Sequence, residues 1–370
     1  MKLTIERAAL LSSLGHVQSV VERRNTIPIL SHVQIEAAGT SVRFRATDLE
    51  LSVVEENDAT VDTPGTATAP AHTLYDIVRK LPDGADVELT LETERRRLSL
   101  RSGRSEFALA CLPNEDFPTI EDDDLPHSFE MKSSVLRRLV ERTRFAISTE
   151  ETRYYLNGVY LHASEDGSLL RAVATDGHRL ARFEIEAPAG SEKLPGVIVP
   201  RKAIGEIHRL LADSEDMVGL SVSDTKIRFS VGRTVLTSKL IDGSFPDYER
   251  VIPTGNDKYL DVDSKVFSSA VDRVSTISTE KSRAVKLAME GERLVLSANS
   301  PDAGSATEEI AVSYDAPAME IGFNSRYLME IAGQIDGDSA RFELSDSAAP
   351  TIIRDPEDTS ALYVLMPMRV

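Results

Sequence analysis

Pro70-Ala-His-Thr-Leu-Tyr-Asp-Ile-Val-Arg-Lys-Leu81, followed by a Pro-Asp-Gly turn and the strand-like Val87-Glu-Leu-Thr-Leu91, decides the fold because it returns twice. The second copy is Pro200-Arg-Lys-Ala-Ile-Gly-Glu-Ile-His-Arg-Leu-Leu211 with Val218-Gly-Leu-Ser-Val222 behind it. The third is Asn324-Ser-Arg-Tyr-Leu-Met-Glu-Ile-Ala-Gly-Gln-Ile335, then Asp-Gly-Asp and Ala340-Arg-Phe-Glu-Leu344. The offsets of 130 and 124 residues are each close to one third of the 370-residue chain. Recurrence at so long a period marks duplicated units rather than a local motif.

Other landmarks keep the same register. Arg45-Ala-Thr-Asp48, Val173-Ala-Thr-Asp176 and Leu296-Ser-Ala-Asn299 each follow a strand-like stretch. Asp116-Phe-Pro118, Ser244-Phe-Pro246 and Leu365-Met-Pro367 stand near the three ends. Each copy opens on a short strand and a helix, predicted over 7–22, 133–146 and 264–277; the second helices fall at 72–81, 201–211 and 325–335. Leu10, Leu14, Val17 and Val21 step along one helical face, as do Leu74, Ile77, Val78 and Leu81. Between helices the apolar period drops to two, as in Val42/Phe44/Ala46 and Phe107/Leu109/Cys111. The reading is an α+β chain of three tandem domains near 1–125, 126–254 and 255–370. Each carries two helices packed on largely antiparallel sheet, with about six to eight strands. Thr63–Pro70 and the Pro-rich run 114–126 read as loops.

Composition narrows the function. An apolar fraction of 41% supports real cores, and 28% charged residues suits a soluble surface. The net charge of −18 excludes a chain that sticks to nucleic acid over its whole surface. The first residues hold no signal-peptide core, and no run of 18 uncharged residues predicts a membrane span, so a cytoplasmic protein is expected. The lone Cys111 predicts a buried reduced thiol. The six predicted helices carry 13 Lys+Arg against six Asp+Glu, so the remainder carries −25. Such segregation predicts a two-sided field, with one surface drawing polyanions. The bias is strongest at Arg137, Arg138, Arg142 and Arg144 and at Arg201, Lys202 and Arg209.

Enzyme motifs are missing: neither phosphate-binding glycine loops, nor Gly-x-Ser-x-Gly, nor His-Glu-x-x-His occurs. Asp176-Gly-His178-Arg179 alone has a catalytic look. Its repeat counterparts, Asp48-Leu-Glu50 and Asn299, supply no further ligands, so a turn closed by the aspartate is the simpler reading. No catalytic residue, metal or cofactor is expected.

Taken in order, Thr26-Ile-Pro-Ile-Leu30, Ala46-Thr-Asp-Leu-Glu50, Arg153-Tyr-Tyr-Leu-Asn-Gly158, Ala174-Thr-Asp-Gly-His-Arg-Leu180, Val199-Pro-Arg-Lys202, Phe245-Pro-Asp-Tyr248 and Met366-Pro-Met-Arg-Val370 closely resemble the DNA polymerase III beta subunit family, the bacterial sliding clamps. The resemblance implies a head-to-tail homodimer whose helices line a hole around double-stranded DNA. It also implies partners, namely the replicative polymerase, the clamp loader, and other polymerases and repair proteins, which dock through short linear motifs. Helices about 10 Å across test the ring: six leave a hole of about 9 Å, and twelve leave about 28 Å. Only the dimer admits a duplex.

Residues matching the family's DNA surface are Arg24, Arg153, Tyr154 and Lys202, with Tyr155 and the helical Arg137 and Arg138 beside them. Those matching its partner-peptide pocket begin with Leu156, Thr175, Gly177, His178, Arg179 and Leu180, and continue with Pro246, Val251, Asn324 and Tyr327. The C-terminal wall would be Val364, Met366, Pro367, Met368 and Arg369. Leu, Val, Pro and Met would give an adaptable apolar cleft, and Arg, His and Asn would fix the peptide's polar ends. Phe107, Leu109 and Ile277 match the dimer interface. Glu150 and Glu249 depart from the family's pattern, which is neutral polar at the first position and basic at the second.

Overall fold

A computed structural model describes residues 1–118, 124–212, 214–278 and 283–369. Residues 119–123 of the Pro-rich run and Val370 of the terminal string lie outside the described residues.

All six helices are present: α1 (Arg7–Val17), α2 (Ala71–Lys80), α3 (Ser133–Arg144), α4 (Arg201–Leu210), α5 (Ser264–Ser275) and α6 (Ser325–Ala332). Two of them start on side-chain caps. The Asp263 carboxylate accepts from the Val266 N–H at 2.8 Å and the Asn324 amide oxygen accepts from the Arg326 N–H at 3.0 Å. The helices stop earlier than predicted, α1 by five residues. There the Ser19 hydroxyl donates to the His16 carbonyl at 2.5 Å, competing for the acceptor that a further turn would need. Val20 and Val21 leave the helix to be buried. On α6 the helix yields at Gly333.

Strands number 26 among the described residues: eight in the second repeat, within the six to eight expected, and nine in the first and third, one more, because Pro- and Gly-punctuated stretches such as Gly65–Pro70, expected to be a loop, also pair. Every pairing is antiparallel. Each repeat supplies two half-sheets, and at each seam between repeats two half-sheets join edge to edge. Leu51–Asp58 of the first repeat pairs with Thr234–Lys239 of the second to make a sheet of eight. Arg179–Glu186 of the second pairs with Ala361–Leu365 of the third to make a sheet of nine. A five-stranded sheet in the first repeat and a four-stranded sheet in the third remain unjoined.

Sheets run across both seams between the three repeats, and the chain gathers into two compact units. One holds Met1–Arg137, Pro188–Ser191 and Lys202–Leu240, and the other holds Arg138–Ala187, Glu192–Arg201 and the chain from Ile241 onward. In the first unit α1 buries Leu10, Leu14 and Val17, as its spacing predicts. In the second α5 buries Phe267, Ala270, Val271 and Val274. Among the described residues no helix is long and apolar enough to cross a membrane.

Candidate functional site

The Thr-Asp landmarks fold into one turn, made twice. Thr47 Oγ1 donates to the Leu51 carbonyl and accepts from the Leu49 N–H, while the Asp48 carboxylate accepts from the N–H groups of Glu50 and Leu51. Thr175 and Asp176 repeat these bonds on Arg179, Gly177, His178 and Arg179 in the same order. Asp176 therefore closes the turn, one carboxylate oxygen held by backbone N–H groups and the other by Arg179 Nε. The third residue sits at φ +79° in Leu49 and +87° in Gly177. Leucine pays for that left-handed conformation in steric strain and glycine does not. A Cβ on Gly177 would also stand 2.5 Å from an Nη of Arg153. Gly177→Ala should cost about 1 kcal/mol in a thermal melt and displace the Arg153 side chain, whereas Leu49→Gly should be neutral or stabilising. Equal melting temperatures for wild type and Gly177→Ala would count against this strain.

Behind the second turn lies an apolar cluster of Val173, Leu180, Tyr248, Ile352, Leu362 and Val364, with Tyr160, Phe245 and Ile252 packed against it. Strand register builds its floor, since Leu180 stands opposite Val364 and Val364 opposite Ile352. The rim is open: Met366 is 42% and Val251 51% exposed, and Pro246 is exposed too. The C-terminal segment is strapped down by the Met366 N–H on the His178 carbonyl and the Met368 N–H on the Gly322 carbonyl, both 2.9 Å. Ile352, on the short strand Thr351–Arg354, belongs to this floor and was missed by sequence reasoning; an isolated apolar pair in a four-residue strand gives little periodic signal.

Several polar residues expected to meet a peptide are spent inside the fold. Arg179 is buried: it bonds Asp176, Glu330 and the Phe145 carbonyl, and its guanidinium lies 4.2 Å from the Tyr327 ring centroid. Asn324 caps α6. Leu156 is buried. What faces outward is His178, stacked on Tyr327 at 6.4 Å between centroids, and Arg369. Glu249 pairs with Arg171 at 2.7 Å.

Some of the helical cations are paired with carboxylates elsewhere in the fold. Arg138 pairs with Asp358 and lies over the Phe183 ring, and Arg142 pairs with Asp336. Arg137 donates to the Leu211 and Ser214 carbonyls at the end of α4. Lys202 is held by Asp48, Glu22 and the Val20 carbonyl. Arg153 pairs with Glu150, whose carboxyl is held below the usual range by that bond. Arg24, Arg144 and Arg201 are exposed, and none of them has a carboxylate partner among the described residues. Tyr154 is exposed, with the Tyr155 ring edge-on to it at 5.7 Å. Cys111 is half-exposed rather than buried, because it follows an edge strand, and partial burial pushes its thiol up, away from nucleophilic use.

Two of the sheet edges left unpaired among the described residues matter here, Ser105–Ala110 of the five-stranded sheet and Gly304–Ala311 of the four-stranded sheet. They are the repeat equivalents of the strands that meet at the two seams. Leu51–Asp58 and Arg179–Glu186 share one burial pattern, their first three residues buried; in Gly304–Ala311 the first two are exposed and the third half-buried. Ala361–Leu365 is buried throughout, yet Ser105–Ala110 buries only Leu109 and half-buries Phe107. Leu109 thus packs within its own sheet. Val20 and Ala146, 0% exposed, hold the place after α1 and α3 that Ile277, half-exposed, holds after α5.

Family models for the DNA polymerase III beta subunit match along the whole chain: the N-terminal domain over 1–121, the central domain over 130–247 and the C-terminal domain over 249–369. The beta sliding clamp of Caulobacter vibrioides is 56% identical and that of Escherichia coli 39%, each over 100% of both chains. The solved sliding clamp of Bartonella birtlesii, bound to griselimycin, superposes with a TM-score of 0.98 at 52% identity, covering both chains completely.

Proposed function

The chain belongs to the DNA polymerase III beta subunit family, the sliding clamps, and from that premise we propose that two copies close head to tail into a ring around duplex DNA and tether a polymerase to it. One observation carries the ring reading. Both seams inside the chain join a strand of one kind to a strand of the other, and one strand of each kind is left over, in the first and in the third repeat. Repeating the same pairing between copies satisfies both edges, and a heterologous interface of this sort closes a dimer when the rotation closes. Ser52 meets Thr237 and Leu180 meets Val364 at the internal seams. Their repeat equivalents set Ala108 opposite Ala306 of the partner subunit, with Phe107 and Ile277 covered beside them.

Such a ring needs no chemistry of its own. Cations that touch phosphates position DNA without reading sequence, so the ring slides. A partner held by a peptide in the cleft around Leu180, Val364 and Met366 meets DNA again as an effectively intramolecular event, so a weak contact confers processivity. The apolar floor and open rim support that placement. The ring works in the cytoplasm without metal or cofactor. Its partners are the polymerase, the clamp loader and repair proteins carrying short motifs.

Arg24 tests the DNA side. Arg24→Glu should weaken low-salt binding of a short duplex and lower the log–log salt slope by about 0.9 for the lost phosphate contact. Unchanged binding and slope would remove Arg24 from the DNA face. Lys202→Glu is a poor companion, because it would add a third carboxylate to Asp48 and Glu22.

A further inference from the structure

We propose that Glu150 sets how strongly this chain grips DNA at its second repeat, by occupying Arg153 with a carboxylate that a DNA phosphate must displace; the inference rests on the sliding-clamp reading above. Glu150 Oε2 accepts from Arg153 Nε at 2.8 Å and Oε1 from Nη2 at 2.7 Å, a two-pronged contact. Carboxylate and phosphate compete for that same face of a guanidinium. The backbone holds both partners in place. The Glu150 N–H donates to Ser148 Oγ at 3.1 Å, and the Arg153 N–H donates to the Glu150 carbonyl at 3.3 Å as the short helix Glu151–Leu156 begins. The remaining guanidinium nitrogen lies against Gly177, so the side chain cannot swing that way.

The pair is nonetheless open to exchange. The Glu150 side chain is 53% and that of Arg153 32% exposed, and Tyr154 beside them is exposed. A phosphate arriving at Arg153 replaces one bidentate acceptor by another and leaves a freed carboxylate next to the DNA backbone. The net gain is small and the contact short-lived, which suits a ring that must slide. Arg179 differs: its own side chain is only 6% exposed, so it has no outward face to exchange.

The test is the binding of a short blunt duplex to the full-length chain from about 50 to 200 mM salt. Glu150→Gln keeps the backbone bonds and one side-chain acceptor but loses the charge. Affinity at the low-salt end should rise about two- to fivefold, the scale of an exposed ion pair, and the salt slope should steepen by about 0.9. Asp302→Asn, an exposed carboxylate with no cation partner among the described residues, makes the same change in net charge and should leave both values near wild type. In an Arg153→Gln background Glu150→Gln should change nothing. A Glu150→Gln that binds no better than Asp302→Asn overturns the inference, as does a gain that survives without Arg153. Retention of the wild-type protein on circular DNA is read from the same preparation. Failure at Glu150 with retention intact overturns this inference and leaves the clamp reading standing.

Discussion

Ile277→Asp is expected to turn a dimer near twice 40.6 kDa into a 40.6 kDa monomer at low micromolar concentration. Val20 and Ala146, in the same place at the two internal seams, are 0% exposed, so the third seam should bury Ile277 as completely. A carboxylate there would be desolvated without a counter-charge, at about 3–5 kcal/mol on each of the two seams of a closed ring. The isolated chain should tolerate the change, because Ile277 is half-exposed within it and lies beyond the end of α5. Sedimentation reads the mass and a thermal melt checks folding. A folded variant that stays fully dimeric would show that the free edges meet some other way.

Met366→Ala combined with Val251→Ala should lower affinity for a polymerase-derived peptide at least thirtyfold, about 2 kcal/mol, and abolish processive synthesis at clamp concentrations that saturate the wild type. Both side chains stand open on the cleft rim, so truncation removes contact area without opening the core. Leu180, which matches the same pocket, is a poor second truncation. It belongs to the buried floor, and a core Leu→Ala costs about 2–5 kcal/mol of stability, which would confuse the reading. Deleting the tail from Met366 is worse, since it removes the bonds to the His178 and Gly322 carbonyls. A folded, dimeric double variant with wild-type processivity would place the partner site elsewhere.

The parts of this molecule governed by short-range rules were legible in its sequence. Leu10, Leu14 and Val17 announced a buried helical face, and Asp176 announced a turn, because both depend on residues a few positions apart. Pairing across seams was not legible. The contact of Leu180 with Val364 joins residues 184 apart, and nothing in either string names the other. Charges failed for the same reason. Arg179 reads as a free binding residue until Glu330, 151 residues away, is seen to take it. Leu49 gave no warning of its positive φ, because leucine normally avoids that region and only repeat equivalence with Gly177 explains it.

Retention on DNA of defined topology tests the central claim most directly. Loaded onto a nicked circle, the protein should stay through a high-salt wash, and cutting the circle once should release it by sliding off the ends. Loss from circle and linear DNA at the same rate, governed by salt alone, would contradict encirclement.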